Sequence, residues 1–376
     1  MPDVPPLRFP EFTEEWKAEQ LDNIATLSKG IGISKEQLSE DGEPCILYGE
    51  LYTKYKSEII KQVESKTDIN GSKLKRSKAN DVIIPCSGET AVDIATARCV
   101  PFDNILFGGD LNVISLHQYD GAFMSYQLNG KRKYDIARVA QGVSIVHLYG
   151  EHLKAIKTYN PTLPEQQKIA KLLSLLDDRI DTQNKIIEDL KKLKSAISER
   201  LFKSVKGFTV LLSDLCDIVK GKQINGENLS DSGNYYVMNG GTEPSGYYDN
   251  YNVEASTISI SEGGNSCGYV QFNTSPFWSG GHCYSIQNIA DKVDNMYLYH
   301  YLKSNEDAIM KLRIGSGLPN IQKKDLAMFK IIVPKIEWQI KISTFLSSLE
   351  RKAEIEERIQ NVMQKQKLYL LQQMFI

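Results

Sequence analysis

The chain repeats itself. The stretch from Glu165 to Phe202 aligns without gaps to the stretch from Trp338 to Phe375. In that register Gln166 matches Gln339, Lys168-Ile169 matches Lys341-Ile342, and Leu173-Ser174 matches Leu346-Ser347. Leu176 matches Leu349, Ile186 matches Ile359, Lys192 matches Lys365, Lys194 matches Lys367 and Phe202 matches Phe375. A second pair of segments lies ahead of these, with Leu21–Gly30 parallel to Leu212–Gly221 and Lys-Gly ending both. Self-similarity at so long a period predicts two copies of one unit, each a globular segment followed by a helical one. The expected boundaries are 1–158, 159–206, 207–333 and 334–376.

The first helical segment follows Asn160-Pro-Thr-Leu-Pro-Glu-Gln-Gln167, where Pro164 suits the first turn and Glu165 the positive end of the helix dipole. No proline or glycine then occurs before Gly207. Ile169, Leu173, Leu176, Ile180, Ile187, Leu190, Ile197 and Leu201 recur at alternating three- and four-residue spacing, the seam of a coiled coil. Gln183 and Lys194 interrupt it. Such a helix runs roughly 55 Å at about 1.5 Å per residue, too far for one small domain to cover. The second copy is the natural partner, with Ile342, Phe345, Leu346 and Leu349 opening its stripe. There Glu356 and Gln360 fall on repeated positions, while Ile355, Ile359 and Val362 suggest that the stripe shifts. A stiff rod fixes the distance between two units as a flexible linker cannot.

The globular segments lack helical periodicity. Short β-rich runs, Asp81–Ile84, Val113–Leu116, Thr257–Ile260 and Phe329–Val333, alternate with Gly, Asn, Ser and Asp clusters. Short helices are expected at 123–129 and 296–304. The fold class is therefore α+β: two domains of twisted, mainly antiparallel sheet, separated by two long antiparallel coiled-coil helices.

The loops carry groups that match phosphates and base edges. The first domain offers Tyr48, Glu50, Tyr52 and Lys54, then Lys73, Lys75, Arg76 and Lys78 within Ser72–Lys78, then Lys131 and Arg132. The second offers Lys220, Lys222, Asn239, Thr242, Asn265 and Arg313. Alone, such loops equally describe solvated surface and sheet packing. The formal net charge is −2, so any binding of nucleic acid requires the cations to be gathered on one face.

Catalytic signatures are absent. There is no Asn/Asp-Pro-Pro-Tyr/Phe segment for gripping an amine in methyl transfer and no phosphate-binding loop of the G-x-x-x-x-G-K-S/T type. Gly30-Ile-Gly32 lacks the third glycine of a dinucleotide loop. His117, His147, His152, His282 and His300 show no zinc spacing with the cysteines. The six cysteines contain no C-x-x-C pair and are expected to be reduced and mostly buried. No apolar run is long enough for a membrane span, and Met1–Phe12 has no apolar leader core, so the expected compartment is the cytoplasm.

The arrangement resembles the specificity subunit of type I restriction-modification systems over nearly the whole chain. The residues that carry the resemblance are Pro164–Ile180, its degenerate copy Pro334–Glu350, and the opening Leu7-Arg-Phe-Pro-Glu-Phe12 followed by Trp16 and Leu21. Gly142–Ile145 and Gly315–Ile321 resemble the turns that close each recognition domain. The second copy has Trp338-Gln339 where the first has Glu165-Gln166, a departure from the pattern. The resemblance implies two target recognition domains that each contact half of a split double-stranded DNA target. It implies helices, packed through Ile169, Leu173, Leu176, Ile180, Ile187, Leu190, Leu346 and Leu349, that act as a ruler for the spacer. Two modification (methyltransferase) subunits and two restriction subunits are the implied partners. S-adenosylmethionine, ATP and Mg2+ would be bound by those partners, with no cofactor and no metal held by this chain. The alternative is a coiled-coil interaction scaffold without DNA recognition.

Overall fold

The computed structural model describes residues 4–70, 73–315, 317 and 319–376. Ser72, Ser316 and Leu318, which fall in the basic run and the closing turn named above, lie outside the described residues. The chain divides into two compact units that cut across both long helices. Unit 1 comprises 1–184 and 359–376, and unit 2 comprises 185–358.

In unit 1 the central sheet is built from β1 (Ala25–Lys29), β2 (Asp81–Pro85), β3 (Arg98–Val100) and β4 (Leu111–Leu116), in the order β1-β4-β2-β3. All its pairings are antiparallel. The strands Asp81–Pro85 are buried on both faces, which explains why this run reads as continuous Val-Ile-Ile rather than as alternation. A smaller sheet orders Ser65–Thr67, Glu43–Ile46, Leu106–Phe107 and Lys75–Arg76, with a parallel pairing between its middle strands. Helix α1 (Gly121–Asn129) starts on Asp120, whose carboxylate accepts the Phe123 N–H at 2.8 Å, and it is buried along almost its whole length.

Unit 2 repeats this plan. Its central sheet, β5 (Asp217–Lys220), β6 (Thr257–Ser261), β7 (Val270–Asn273) and β8 (Cys283–Gln287), has the order β5-β8-β6-β7. Helix α3 (Asn295–Ser304) starts on Asp294, which accepts the Tyr297 N–H at 2.7 Å. Each unit also pairs its entry strand with its exit strand: Lys17–Gln20 with Lys157–Asn160, and Phe208–Leu211 with Lys330–Val333.

Helix α2 (Leu163–Ser204) has 42 residues and helix α4 (Ile336–Gln373) has 38. At about 1.5 Å per residue α2 is about 63 Å long, longer than the roughly 55 Å expected, because it runs from Leu163 to Ser204. Within unit 1 the first part of α2 runs against the last part of α4. Ile169, Ala170 and Leu173 share a buried cluster with Leu371, Met374 and Phe375. Within unit 2 the last part of α2 runs against the first part of α4, with Phe202, Ile342 and Leu346 in one core. Early residues of one helix meet late residues of the other in both units, so the helices pair antiparallel.

The stripe of α4 does not shift. Ile355, Ile359 and Val362 are exposed, whereas Glu356 and Gln360 are half-buried. Gln360 donates to the Asn184 side chain, so polar contacts continue the seam where an apolar one was expected. Phe345 is also exposed. On α2 Ile169, Leu173 and Ile187 are buried, and Leu176, Ile180 and Leu190 are half-buried.

The repeated Gln166 and Gln339 do the same work. Each glutamine is buried at the start of its helix. Gln166 accepts the Asp120 N–H and donates to the Pro161 carbonyl, at 2.9 and 2.8 Å. Gln339 accepts the Asp294 N–H and donates to the Pro334 carbonyl, both at 2.9 Å. Both therefore tie the long helix to the cap of the short one. Glu165 and Trp338 differ for a local reason. Glu165, fully buried, takes a bidentate ion pair from Arg8 at 2.6 and 2.7 Å and lies 3.4 Å from the Trp16 Nε1. Arg8 belongs to an N-terminal strap whose Leu7 N–H donates to the Gln373 carbonyl. The second half has only Val205–Gly207 between α2 and its entry strand, no room for a strap, and Trp338 stands exposed with Lys341 over its ring.

Candidate nucleic-acid interface

In unit 2 several loops converge on one end of the central sheet. Lys220 ends β5, Glu262 follows β6, and His282 precedes β8. The Lys220 ammonium lies 2.6 Å from Glu262 Oε1, and the Tyr284 hydroxyl donates to the same oxygen at 3.1 Å. Burial, reinforced by Glu262, pushes the Tyr284 phenol above its ordinary range. His282 Nδ1 is 3.7 Å from Glu262 Oε2, a buried oxygen that has no hydrogen-bond partner among the described residues. Asn239 Oδ1 accepts the His282 N–H at 3.1 Å and so holds the 239–242 loop beside it. Gly240, with φ of +88°, makes that approach possible. The cluster presents a cation, an exposed imidazole and amide groups around an acid that is mostly withdrawn from solvent.

The corresponding end of the unit 1 sheet is formed by Lys29 at the end of β1, Cys86 and Ser87 after β2, and Asp110 before β4. Ser87 Oγ donates to the Asp110 carboxylate at 3.3 Å. Lys29 sits over the exposed Tyr149 ring, 5.7 Å from its centroid. The glycine after each lysine has a steric cause: a Cβ on Gly30 would run into the Gly108 carbonyl, and one on Gly221 into the Gly280 carbonyl. Next to this end lies a cleft of about 950 Å³ lined by Tyr48, Tyr52, Ser87, Asp93, Asp110 and His147, among others.

The predicted binding residues separate into two groups. Tyr48 and Tyr52 are exposed at the cleft, with the Tyr52 hydroxyl donating to the Ser87 carbonyl at 3.0 Å. Lys220 and Asn239 belong to the unit 2 cluster, and Lys222, Thr242, Asn265 and Arg313 are exposed on loops. Lys73 and Lys78 are exposed as well, and Lys75 is half-buried in a strand of the small sheet. The rest are held within the fold. Glu50 is buried, accepts the Leu47 N–H at 2.9 Å and the Ser65 hydroxyl, and pairs with Lys54 at 2.8 Å. Arg76 is clamped on Glu43 at 2.6 and 3.0 Å. Arg132 donates to the Ile376 carbonyl at 3.0 Å and pairs with Asp135, while Lys131 beside it is exposed. Lys29, Glu262 and His282 were not among the residues picked out. The signal for Lys29 lay in its match to Lys220, both followed by glycine; nothing local marks Glu262 or His282.

Among the described residues no group of three or more His, Cys, Asp or Glu side chains could hold a metal ion. All six cysteines are free and buried. No described helix is long and apolar enough to cross a membrane.

The type I restriction modification DNA specificity domain matches residues 13–192 and again 207–365, nearly the whole chain and in two copies. The chain belongs to the family of type I restriction-modification specificity subunits. Such subunits are the non-catalytic components of their systems. The MjaVIII specificity subunit of Methanocaldococcus jannaschii is 24% identical over 410 residues, covering 96% of this chain and 91% of that protein. Type I specificity subunits from Mycoplasma genitalium and Mycoplasma pneumoniae are 34% and 32% identical over 122 and 145 residues, 32% and 38% of this chain. Those two matches span only 31% and 38% of the relatives' lengths. Among solved structures, the S subunit of a type I system from M. genitalium superposes with a TM-score of 0.71 at 19% identity, covering 99% of both chains. A second structure, reported for complex assembly and conformational transition of a type I system, gives 0.58 at 15%, covering 97% of this chain and 98% of that one. Both share the fold.

Proposed function

We propose that this specificity subunit reads a bipartite double-stranded DNA target, one half-site per sheet domain, and that the paired helices set the undefined gap between the half-sites. The observation that carries the proposal is the duplicated sheet end, where Lys29 and Lys220 occupy equivalent places and the loops around them differ. Lysines kept in both copies suit phosphates, which any sequence offers; groups that differ between copies suit base edges, which are particular. Glu262, His282 and Asn239 in one domain, and Tyr48, Tyr52 and Asp110 in the other, are the proposed readers. Each well-placed bidentate contact gives about 1–3 kcal/mol of discrimination.

The long helices leave apolar side chains in solvent, among them Leu172, Leu175, Leu193, Ile355, Val362 and Leu368. These faces are proposed to dock two modification subunits, with two restriction subunits completing the complex in the cytoplasm. Methyl transfer from S-adenosylmethionine and ATP- and Mg2+-dependent cleavage belong to those partners.

Methylome sequencing of cells that carry this subunit with its partners tests the reading. The expected motif has two short defined parts at a fixed separation; a continuous motif counts against it. Insertion of four residues near Gln183, about one helical turn, should lengthen the gap and leave both parts unchanged. The exposed apolar faces also favour the second reading, a protein scaffold with no DNA role. Salt-dependent duplex binding by the assembled complex separates the two, because phosphate contacts release counterions. Lys220→Ala should lower the slope of log K against log salt by about 1.

A further inference from the structure

Two polar clusters interrupt the helix seam, one in each unit, and both join residues from different copies of the repeat. In unit 2 Lys194 of α2 lies 2.5 Å from Glu350 of α4, and the Tyr299 hydroxyl of α3 donates to Glu350 at 3.0 Å. In unit 1 Lys367 of α4 lies 2.7 Å from Asp177 of α2, and the Tyr126 hydroxyl of α1 donates to Asp177 at 2.7 Å. Unit 1 adds a second acid, Glu58, 2.5 Å from Lys367.

In the repeat register Asp177 is the equivalent of Glu350, and Lys194 of Lys367. Each lysine thus reaches the acid of the other copy. The tyrosines are not strictly equivalent, because counting from the capping Asp120 and Asp294 puts Tyr126 level with His300 and one position beyond Tyr299. The two halves preserve the hydroxyl-to-acid contact while taking it from neighbouring positions of the short helix.

An apolar seam alone discriminates poorly between alternative alignments, since one leucine serves as well as the next. A charged group in the seam changes that: away from its partner it is buried without compensation. Aligning the copies in parallel would set Asp177 against Glu350 and Lys194 against Lys367, like on like. Slipping the antiparallel pair by one turn would press each lysine on apolar neighbours. We propose that Lys194–Glu350 and Lys367–Asp177, each braced by a tyrosine, are the positioning residues that select the orientation and register of the helix pair. This is independent of the DNA reading above, because it concerns the isolated chain.

Unit 2 allows the cleaner test, as it lacks the extra acid. Nitroxide labels at R200C and K352C, both exposed positions, report the alignment of α2 and α4 by electron–electron dipolar spectroscopy on the full chain, the native cysteines being buried. A one-turn slip moves the helices about 5.4 Å along each other and changes that diagonal distance by several ångström. The labelled parent and K194R/E350D should each give one narrow distance. The apolar replacement Y299F/K194M/E350L, made together with Y126F/K367M/D177L/E58Q so that neither cluster remains, should still fold cooperatively, yet give a broadened or second distance. A single unchanged distance in the apolar variant overturns the proposal, because packing alone then holds the register. An apolar variant that fails to fold overturns it too, since the clusters then supply stability rather than alignment.

Discussion

Lys367→Met removes the ammonium that pairs with two buried carboxylates. Lys367 is 16% exposed, and its partners Glu58 and Asp177 are 9% and 4% exposed. Burial pulls the ammonium's pKa down, but Glu58 and Asp177 outweigh it and hold it above its ordinary value. Burial and the neighbouring Glu58 push Asp177 up to about 6 from 3.8, even with the lysine present. Breaking a buried pair from one side costs about 3–5 kcal/mol. For a unit of this size that is roughly 6–20 °C of melting temperature, at about 2–4 °C per kcal/mol. The cost must depend on pH. A folded-state pKa above the unfolded one means that the folded protein binds more protons, so this group's contribution falls as pH rises through the window from about 4 to about 6. Without Lys367 the window moves upward, and protonation below it relieves the repulsion by about 1.4 kcal/mol per pH unit. Thermal melts at pH 7.5 and pH 5 should therefore show the full penalty at the first and less than half of it at the second. Lys61→Met is the control, a lysine outside the helices that pairs with acids of α2 within about one turn of Asp177. Lys61 pairs with Asp178 and Asp181 at 2.8 and 2.7 Å but is 40% exposed, so its loss should cost about 0.2–1 kcal/mol. A Lys367→Met penalty no larger than that of Lys61→Met, or one equal at both pH values, refutes the reasoning.

Three further outcomes follow from the packing. Burial lowers His300 to about 4, and its ring nitrogen lies 2.9 Å from Ser347 Oγ; the neutral form is favoured in the fold, so stability present above about 6.5 should fall by about 3 kcal/mol as pH drops through that value toward 4, and His300→Gln should flatten the profile in calorimetric melts. Phe202→Ala and Phe375→Ala should each cost about 3–5 kcal/mol in denaturant titrations, because Phe202 packs edge-on against Tyr297 and Tyr301 while Phe375 packs against Phe123 and Trp16. Arg8→Met should cost about 3–5 kcal/mol by leaving the fully buried Glu165 without its cation, and adding Glu165→Met should recover most of that loss in the same titration.

The layout was legible because it rests on periodicity. The three- and four-residue spacing of Ile169 to Leu201 needs no tertiary information to predict one helix, and repetition near Trp338 predicts its partner. The strands at Asp81 and Thr257, and the short helices near residues 123 and 296, stand out by composition and by their turn signals. The interface was less legible because exposure in irregular loops depends on contacts far along the chain. Arg76 looks like free charge until Glu43 is brought beside it, and Glu50 until Ser65 and the Leu47 amide close on it. His282 gains its place from Asn239, 43 residues away in sequence.

The seam interruptions show how far a periodic reading reaches. Lys194 and Gln183 count as defects when one helix is scored by itself, because the score asks only whether a position is apolar. Scored as a pair, Lys194 meets Glu350, and the same offset carries Lys367 to Asp177. A random polar substitution would break one site; two lysines and two acids placed so that the lysine of each copy meets the acid of the other require the antiparallel alignment to make sense of them. The same logic applies to Trp338. Its difference from Glu165 goes with a strap beside the first copy that the short Val205–Gly207 link does not provide for the second: Glu165 binds Arg8, and Trp338 stands exposed. Departures from the repeat are thus most informative where the surroundings of the two copies differ, and that is where the half-specific loops of each sheet end also lie.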